Sequence, residues 1–246
     1  MKLTNHISLT ASGDNGFSMT HPLDCNVYVV DAGEGLIMID AGAGMDGPAI
    51  ERELQNDGYR VQDIRYLVVT HAHADHAVGA PYFLEKSKAR LVTSAYEGHI
   101  LGQPTLLENT MKEYVAAGFY PPGYRFPGME ADLLLEDGDC LELGNICLQA
   151  LVLPGHTGGG LCLYGNIDGR EVLFSGDTVL FDGKINLMSI FDGDLLAYKD
   201  SILRLEKLPV DMLLPGHLQP VLSRGSAPIC KAAGIFRRFG VPPSIC

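Results

Sequence analysis

The 246-residue chain predicts an α+β protein. Apolar runs of strand length recur along it, and several end in a Gly-containing turn. Helical spacings of apolar residues stand between them, at 48–57, 77–86 and 195–208. Each half of the chain runs in one order, several strands, then a helix, then a strand. Short apolar runs bounded by turn residues and longer stretches of i,i+4 periodicity are separate signals, and both are present here.

Residues 25–42 read as a hairpin, with Asn26-Val27-Tyr28-Val29-Val30 and Leu36-Ile37-Met38-Ile39 as arms and 31–35 as the turn. Residues 48–57 are a helix: Pro48 suits its first turn, Ile50 and Leu54 share a face, and Gly58 stops it. Tyr66–Thr70 is a strand, a helix follows from near Ala77 to Lys86, and Leu91–Thr93 is a short strand. In the second half, 140–153 hold two strands broken at Gly144-Asn145. Residues 161–165 and 171–175 form a hairpin across 166–170. The helix at 195–208 has Asp194 as N-cap, Asp211–Leu214 is a strand, and 226–239 form one further helix. No repeat aligns, and the chain reads as one domain over 1–246.

Two segments fit neither half. Residues 96–131 are rich in Tyr, Phe and Pro, among them Tyr114, Phe119 and Tyr120. They read as a cap that supplies an apolar substrate wall, or else as a surface helix and loop packed on the body. Residues 178–193 contain Phe181, Lys184, Asn186, Met188 and Phe191, and at least one of these is expected to face substrate.

Composition narrows the function. A hydrophobic fraction of 46% with 20% charged residues suits a soluble globular enzyme. A net charge of −12 without a basic run disfavours nucleic acid, whose binding rests on neutralised phosphates. No apolar stretch is long enough to cross a bilayer, and Met1–His6 lacks the apolar core of a signal peptide. A cytoplasmic protein acting on a small molecule is the expectation; oligomeric state is not legible. None of the six cysteines, at 25, 140, 147, 162, 230 and 246, lies in a Cys-x-x-Cys pair, and core thiols are expected rather than disulfides, with Cys246 exposed.

The chemistry is concentrated at residues 71–76, His-Ala-His-Ala-Asp-His, directly after Leu67-Val68-Val69-Thr70. Three further residues follow apolar runs through a Gly-containing turn: His156, Asp177 and His217. Imidazole and carboxylate together suit zinc, iron or manganese. His71, His73 and His156 would give three nitrogens to one ion; Asp75, His76 and His217 would serve a second; Asp177 could bridge both. Three protein ligands plus a water is the catalytic pattern, and paired ions about 3.5–4 Å apart form a hydrolytic clamp. Asp40, at a strand end, is either an orienter of a ligand histidine or a turn aspartate, and Thr157 could do similar work beside His156. His6, His21 and His99 match no ligand position.

This set resembles the metallo-β-lactamase superfamily. The motifs His71-x-His73-x-Asp75-His76, His156, Asp177 and His217 occur in the family's order, and 26–42 resemble its opening hairpin. The resemblance spans about residues 25–217. It implies a four-layer αβ/βα sandwich with the metals at one edge between the sheets. The implied enzyme is a hydrolase with two Zn2+ ions, whose bridging hydroxide attacks an ester, thioester or lactone, with Asp75 also able to relay a proton. Zinc β-lactamases carry Cys or Ser where this chain has Asp177, so a β-lactam substrate is not expected. Glyoxalase II enzymes share the ligand types but add a C-terminal helical segment that is largely missing after His217. N-acyl homoserine lactonases carry a tyrosine three positions after the bridging aspartate, where this chain has Leu180. The alternative is a persulfide dioxygenase-like enzyme holding one iron through His71, His156 and Asp177.

Overall fold

The computed structural model describes residues 1–188 and 190–245. Among the described residues, eleven strands form two sheets. The first comprises β1 (Ile7–Ala11), β2 (Val27–Asp31), β3 (Leu36–Ile39), β4 (Ile64–Val68), β5 (Arg90–Ser94) and β6 (Leu133–Leu135), in that spatial order. Its first three strands are antiparallel, and β3 to β6 are parallel. The second comprises β7 (Cys140–Leu143), β8 (Ile146–Val152), β9 (Leu161–Ile167), β10 (Arg170–Gly176) and β11 (Met212–Pro215), with only β10 and β11 parallel. The helices are α1 (Gly47–Asn56), α2 (Ala74–Ala77), α3 (Ala80–Ser87), α4 (Ala95–Gly102), α5 (Glu108–Ala116), α6 (Leu195–Leu205) and α7 (Ser226–Arg237).

Strand alternation produces the layering. Tyr28 and Val30 of β2 join Phe174 of β10 and Leu214 of β11 in a core between the sheets. Their chain neighbours Val27 and Val29 face the other way, into a core shared with Ile50 and Leu54 of α1 and Phe83 of α3. On the far side, Leu173 and Leu213 pack against Tyr198 and Ile202 of α6 and Ile229 of α7. Successive strand side chains point to opposite faces, so strands apolar at consecutive positions must be covered on both sides. The result is the expected helix–sheet–sheet–helix sandwich, an α+β fold.

Several expectations are refined. The helix expected from Ala77 to Lys86 is two helices, α2 and α3, parted at Val78-Gly79. Gly79 lies so close to β3's exit that a Cβ there would stand 1.9 Å from the Ala41 carbonyl oxygen, and Pro81 has no N–H to continue a ladder. Strand β1 lies outside the expected elements, although Ile7, Leu9 and Ala11 alternate with Ser8 and Thr10. The expectation of free thiols fails at Cys140 and Cys147, which are joined as a disulfide. The Gly144-Asn145 hairpin brings them together, with Cα atoms 5.9 Å apart. Leu141 and Leu148 take the core-facing positions, so both cysteines lie on the exposed face. Cys25 and Cys162 are buried thiols as expected, whereas Cys230 is exposed. Cys246 lies outside the described residues.

Candidate metal centre

Strand exits build the site. Strand β4 delivers His71 and His73, and the single turn of α2 swings Asp75 and His76 round beside them. Strand β8 leads to His156, β10 to Asp177 and β11 to His217. The two sheets are laced at this edge: the Leu161 N–H donates to the Thr70 carbonyl at 2.8 Å, and the Ser94 hydroxyl to the Gly159 carbonyl at 2.7 Å. All seven sequence-proposed residues therefore converge.

They meet as two groups. His156 Nε2 lies 3.1 Å from His71 Nε2 and 2.9 Å from His73 Nδ1. His217 Nε2 lies 3.3 Å from His76 Nε2 and 3.1 Å from Asp75 Oδ2. Asp177 stands between them, its Oδ2 3.5 Å from His156 Nε2 and 3.4 Å from His217 Nε2, and its Oδ1 3.6 Å from His76 Nε2. Ligand atoms held tetrahedrally at a Zn–N distance of 2.0–2.1 Å are about 3.3 Å apart. The observed spacings fit that figure. Asp177 Oδ1 is moreover a buried oxygen without a hydrogen-bond partner, the kind of atom a cation would satisfy.

Ionisation favours the same use at the first group and at both carboxylates, whereas the carboxylates around His76 and His217 outweigh their burial and hold both above the ordinary imidazole range, so an ion there would displace protons. Burial holds His71, His73 and His156 in the neutral form, with His73 pushed down to about 3. Burial alone would raise Asp75 and Asp177, but the histidines around them more than offset it, and Asp75 stays at about 2. Neutral imidazole and ionised carboxylate are the metal-binding forms.

A ring of hydrogen bonds aims the ligands. Asp40, the strand-end aspartate, bonds His76 Nδ1 at 2.8 Å. It also accepts the Thr70 N–H and hydroxyl at 2.8 and 2.9 Å, and Thr70 Oγ1 lies 3.0 Å from His71 Nδ1. Nδ1 of His156 donates to the Asn186 carbonyl at 2.5 Å, and the Asn186 amide donates to Asp177 Oδ2 at 2.7 Å. Tyr198 adds a hydroxyl bond to the Asp177 carbonyl at 2.6 Å. Such contacts fix which nitrogen is left free for an ion. The Thr157 hydroxyl donates to Glu97 Oε1 at 2.5 Å rather than to a ligand. Glu97 is absent from the sequence-proposed set. It is buried at 1% exposure, and burial pushes its carboxyl up to about 7. Backbone approach demands glycine at one ligand turn: a Cβ on Gly216 would stand 2.4 Å from Asp177 Oδ1 and 2.7 Å from His76 Cε1.

A cavity of about 520 Å³ opens beside His73, Asp75, Asp177 and His217. From the 96–131 segment, Leu107, Thr110, Met111 and Tyr114 face it, with Phe119 and Tyr120 beyond. The first four are spaced i, i+3, i+4, i+7, one face of a helix, and this spacing was the available signal. From the loop after Asp177 come Asn186, Leu187, Met188 and Ile190, whereas Phe181, Lys184 and Phe191 do not line the cavity. Leu180 is fully buried, so the cavity's phenols come from Tyr114 and Tyr120 instead. His6 pairs with Asp168, His21 accepts from the Leu23 N–H, and His99 lies beside Gln103 on α4; none joins the cluster.

A helix–sheet–sheet–helix sandwich with a His/Asp cluster at one sheet edge defines a class, and the comparison with known families agrees. The chain belongs to the metallo-beta-lactamase superfamily, whose family model matches residues 21–217. It is 27% identical over 207 residues to the human acyl-coenzyme A thioesterase MBLAC2, covering 78% of this chain and 72% of that protein. It is 28% identical over 181 residues to a hydroxyacylglutathione hydrolase of Rhodopseudomonas palustris, covering 72% of this chain and 57% of the relative. A metallo-beta-lactamase family protein of Thermus thermophilus superposes with a TM-score of 0.74 at 21% identity, over 96% of this chain and 81% of its own. No helix among the described residues is long and apolar enough to cross a membrane.

Proposed function

We propose that the protein is a metal-dependent hydrolase of an ester, thioester or lactone. In this reading His71, His73 and His156 would hold one Zn2+, Asp75, His76 and His217 would hold a second, and Asp177, between the two groups, would serve both. Bound at these residues, the ions would supply a hydroxide at neutral pH and a Lewis acid toward the substrate carbonyl. The observation that carries the reading is the pair of three-ligand groups flanking one buried carboxylate whose Oδ1 has no other partner.

The chain's own residues do the rest. Asp40, Asn186 and Thr70 keep the ring nitrogens and the Asp177 carboxylate aimed inward. Asp75 combines a ligand's position with 22% side-chain exposure, so it is the carboxylate able to pass a proton to a leaving group in the cavity. The 96–131 segment acts as a cap, its α5 face walling the cavity and thinning the water around the reacting carbonyl. Two of the relatives are named for thioester cleavage, of acyl-coenzyme A and of hydroxyacylglutathione, which makes thioesters the first substrates to try.

The one-iron dioxygenase reading uses only His71, His156 and Asp177. It leaves Asp75, His76 and His217 as a second ligand group without a task, so hydrolysis is preferred. Elemental analysis of the purified chain, followed by a panel of thioesters, lactones and phosphoesters, separates the two. Two zinc ions per chain with thioester or lactone turnover are expected. One iron per chain, with oxygen uptake on glutathione persulfide, would remove the hydrolase reading.

A further inference from the structure

The cavity beside the ligands has an asymmetric chemistry. Its floor is polar: His73, Asp75, Asp177 and His217. Its walls are apolar, with Leu107 just before α5 and Met111 on it, Leu187, Met188 and Ile190 on the loop after Asp177, and Ile245 beside the Ile185–Ser244 bridge. Away from the floor, only Asn15, Thr110, Asn186 and the tyrosine hydroxyls offer polar atoms, and no Lys or Arg lines the space among the described residues. The volume of about 520 Å³ lies within the range of small-molecule sites.

An anion buried along these walls, away from the floor, would meet no Lys or Arg among the described residues. Desolvating it would be costly, because a charge buried without a partner has nothing to replace its water. A neutral apolar chain, by contrast, gains from every methylene it hides. We infer that the cavity binds the acyl half of the substrate, and that this half is an uncharged aliphatic chain of several carbons. Its carbonyl end lies at the floor, and any phosphates or carboxylates of the leaving group stay outside. The inference rests on the proposed hydrolysis for which half of the substrate is held; the chain's fit to the walls stands apart from it.

The test separates the two. n-Butanol, n-hexanol and n-octanol are titrated calorimetrically into the full chain, with and without added zinc. Affinity should rise about fourfold per added methylene, with a negative heat-capacity change. Met111→Lys places a cation on the α5 wall, and Met188→Lys does so on the opposite loop; each should lower octanol affinity at least tenfold. Two variants on different elements guard against one that fails to fold. Hydrolysis of S-acyl N-acetylcysteamine thioesters from acetyl to octanoyl should follow the same slope in kcat/KM. A flat alkanol series, or octanol affinity unchanged in both folded variants, overturns the chain pocket whatever is hydrolysed. A steep alkanol series without turnover of any ester, thioester or lactone supports the pocket and removes the hydrolase.

Discussion

Replacing Glu97 by glutamine asks how the two loops of the first ligand group are held together. Glu97 Oε2 accepts the Ala72 N–H at 2.8 Å, and Oε1 accepts the Thr157 hydroxyl at 2.5 Å and the Gly159 N–H at 3.2 Å. Ala72 sits between His71 and His73, and Thr157 follows His156. One carboxylate therefore ties both sources of the three nitrogens. Glutamine keeps the shape but has an acceptor on one arm only. The Thr157 hydroxyl can turn and accept from the new amide, whereas a backbone N–H cannot. In either orientation one N–H loses its acceptor, at about 1–3 kcal/mol for a buried donor. Zinc affinity should fall about 10–100-fold, the usual loss when a support behind a ligand is removed.

The same variant has a pH signature. Burial raises the Glu97 carboxyl from 4.5 to about 7 against the pull of its hydrogen bonds. The folded chain thus holds this proton more tightly than the unfolded chain. Its contribution to stability is complete below about pH 4.5 and is lost as pH rises through about 7. At 1.36 kcal/mol per pH unit, that interval is worth about 3 kcal/mol. Glutamine does not titrate, and the other groups cancel in the difference between the two proteins. Urea unfolding of the metal-free proteins from pH 5 to pH 8 should show the wild-type advantage shrinking by about 2–3 kcal/mol. A difference that is constant across this range, together with unchanged zinc affinity in Glu97→Gln, would refute the reasoning.

Three other substitutions probe the centre. Asp177→Ala should leave the circular dichroism spectrum largely intact, lower zinc below two per chain and reduce hydrolysis more than about 100-fold, beyond the loss from an outer support; full activity would remove the bridging role. Gly216→Ala drives a Cβ to 2.4 Å from Asp177 Oδ1, so about 1–3 kcal/mol of thermal stability should be lost to overpacking, along with zinc; an unchanged zinc titration would show that the turn yields freely. Asp40→Ala removes the direct partner of His76 Nδ1 and should weaken one of two zinc-binding phases about 10–100-fold, with a smaller loss in the other, which Asp40 reaches only through Thr70 and His71; equal weakening of both phases would show that the contact to His76 is not the dominant one.

What was legible beforehand follows from what a side chain is, apart from where it goes. The seven candidate ligands could be read because His and Asp in numbers after apolar runs are chemically distinctive and locally punctuated by glycine. Their convergence needed only that strands end at a shared edge, as open sheets do. Helices α1, α6 and α7 were readable because their periodicity and stop signals lie within a dozen residues. The Cys140–Cys147 pair escapes a reading by composition, because what joins it is the strand alternation that turns both thiols outward.

The sequence by itself determined the donor chemistry and the succession of strands and helices, both written in residue type and short-range spacing, while the sandwich class came from the family resemblance those donors carry. Tertiary structure alone decided that Glu97 clamps loops 25 and 60 residues away, and which residues of the 96–131 and 178–193 segments wall the cavity. The physical reason is range. Helical and strand periods are local steric facts, while a buried carboxylate finds its hydrogen-bond donors only after distant segments have packed, and nothing in the identity of Glu97 announces which ones they will be.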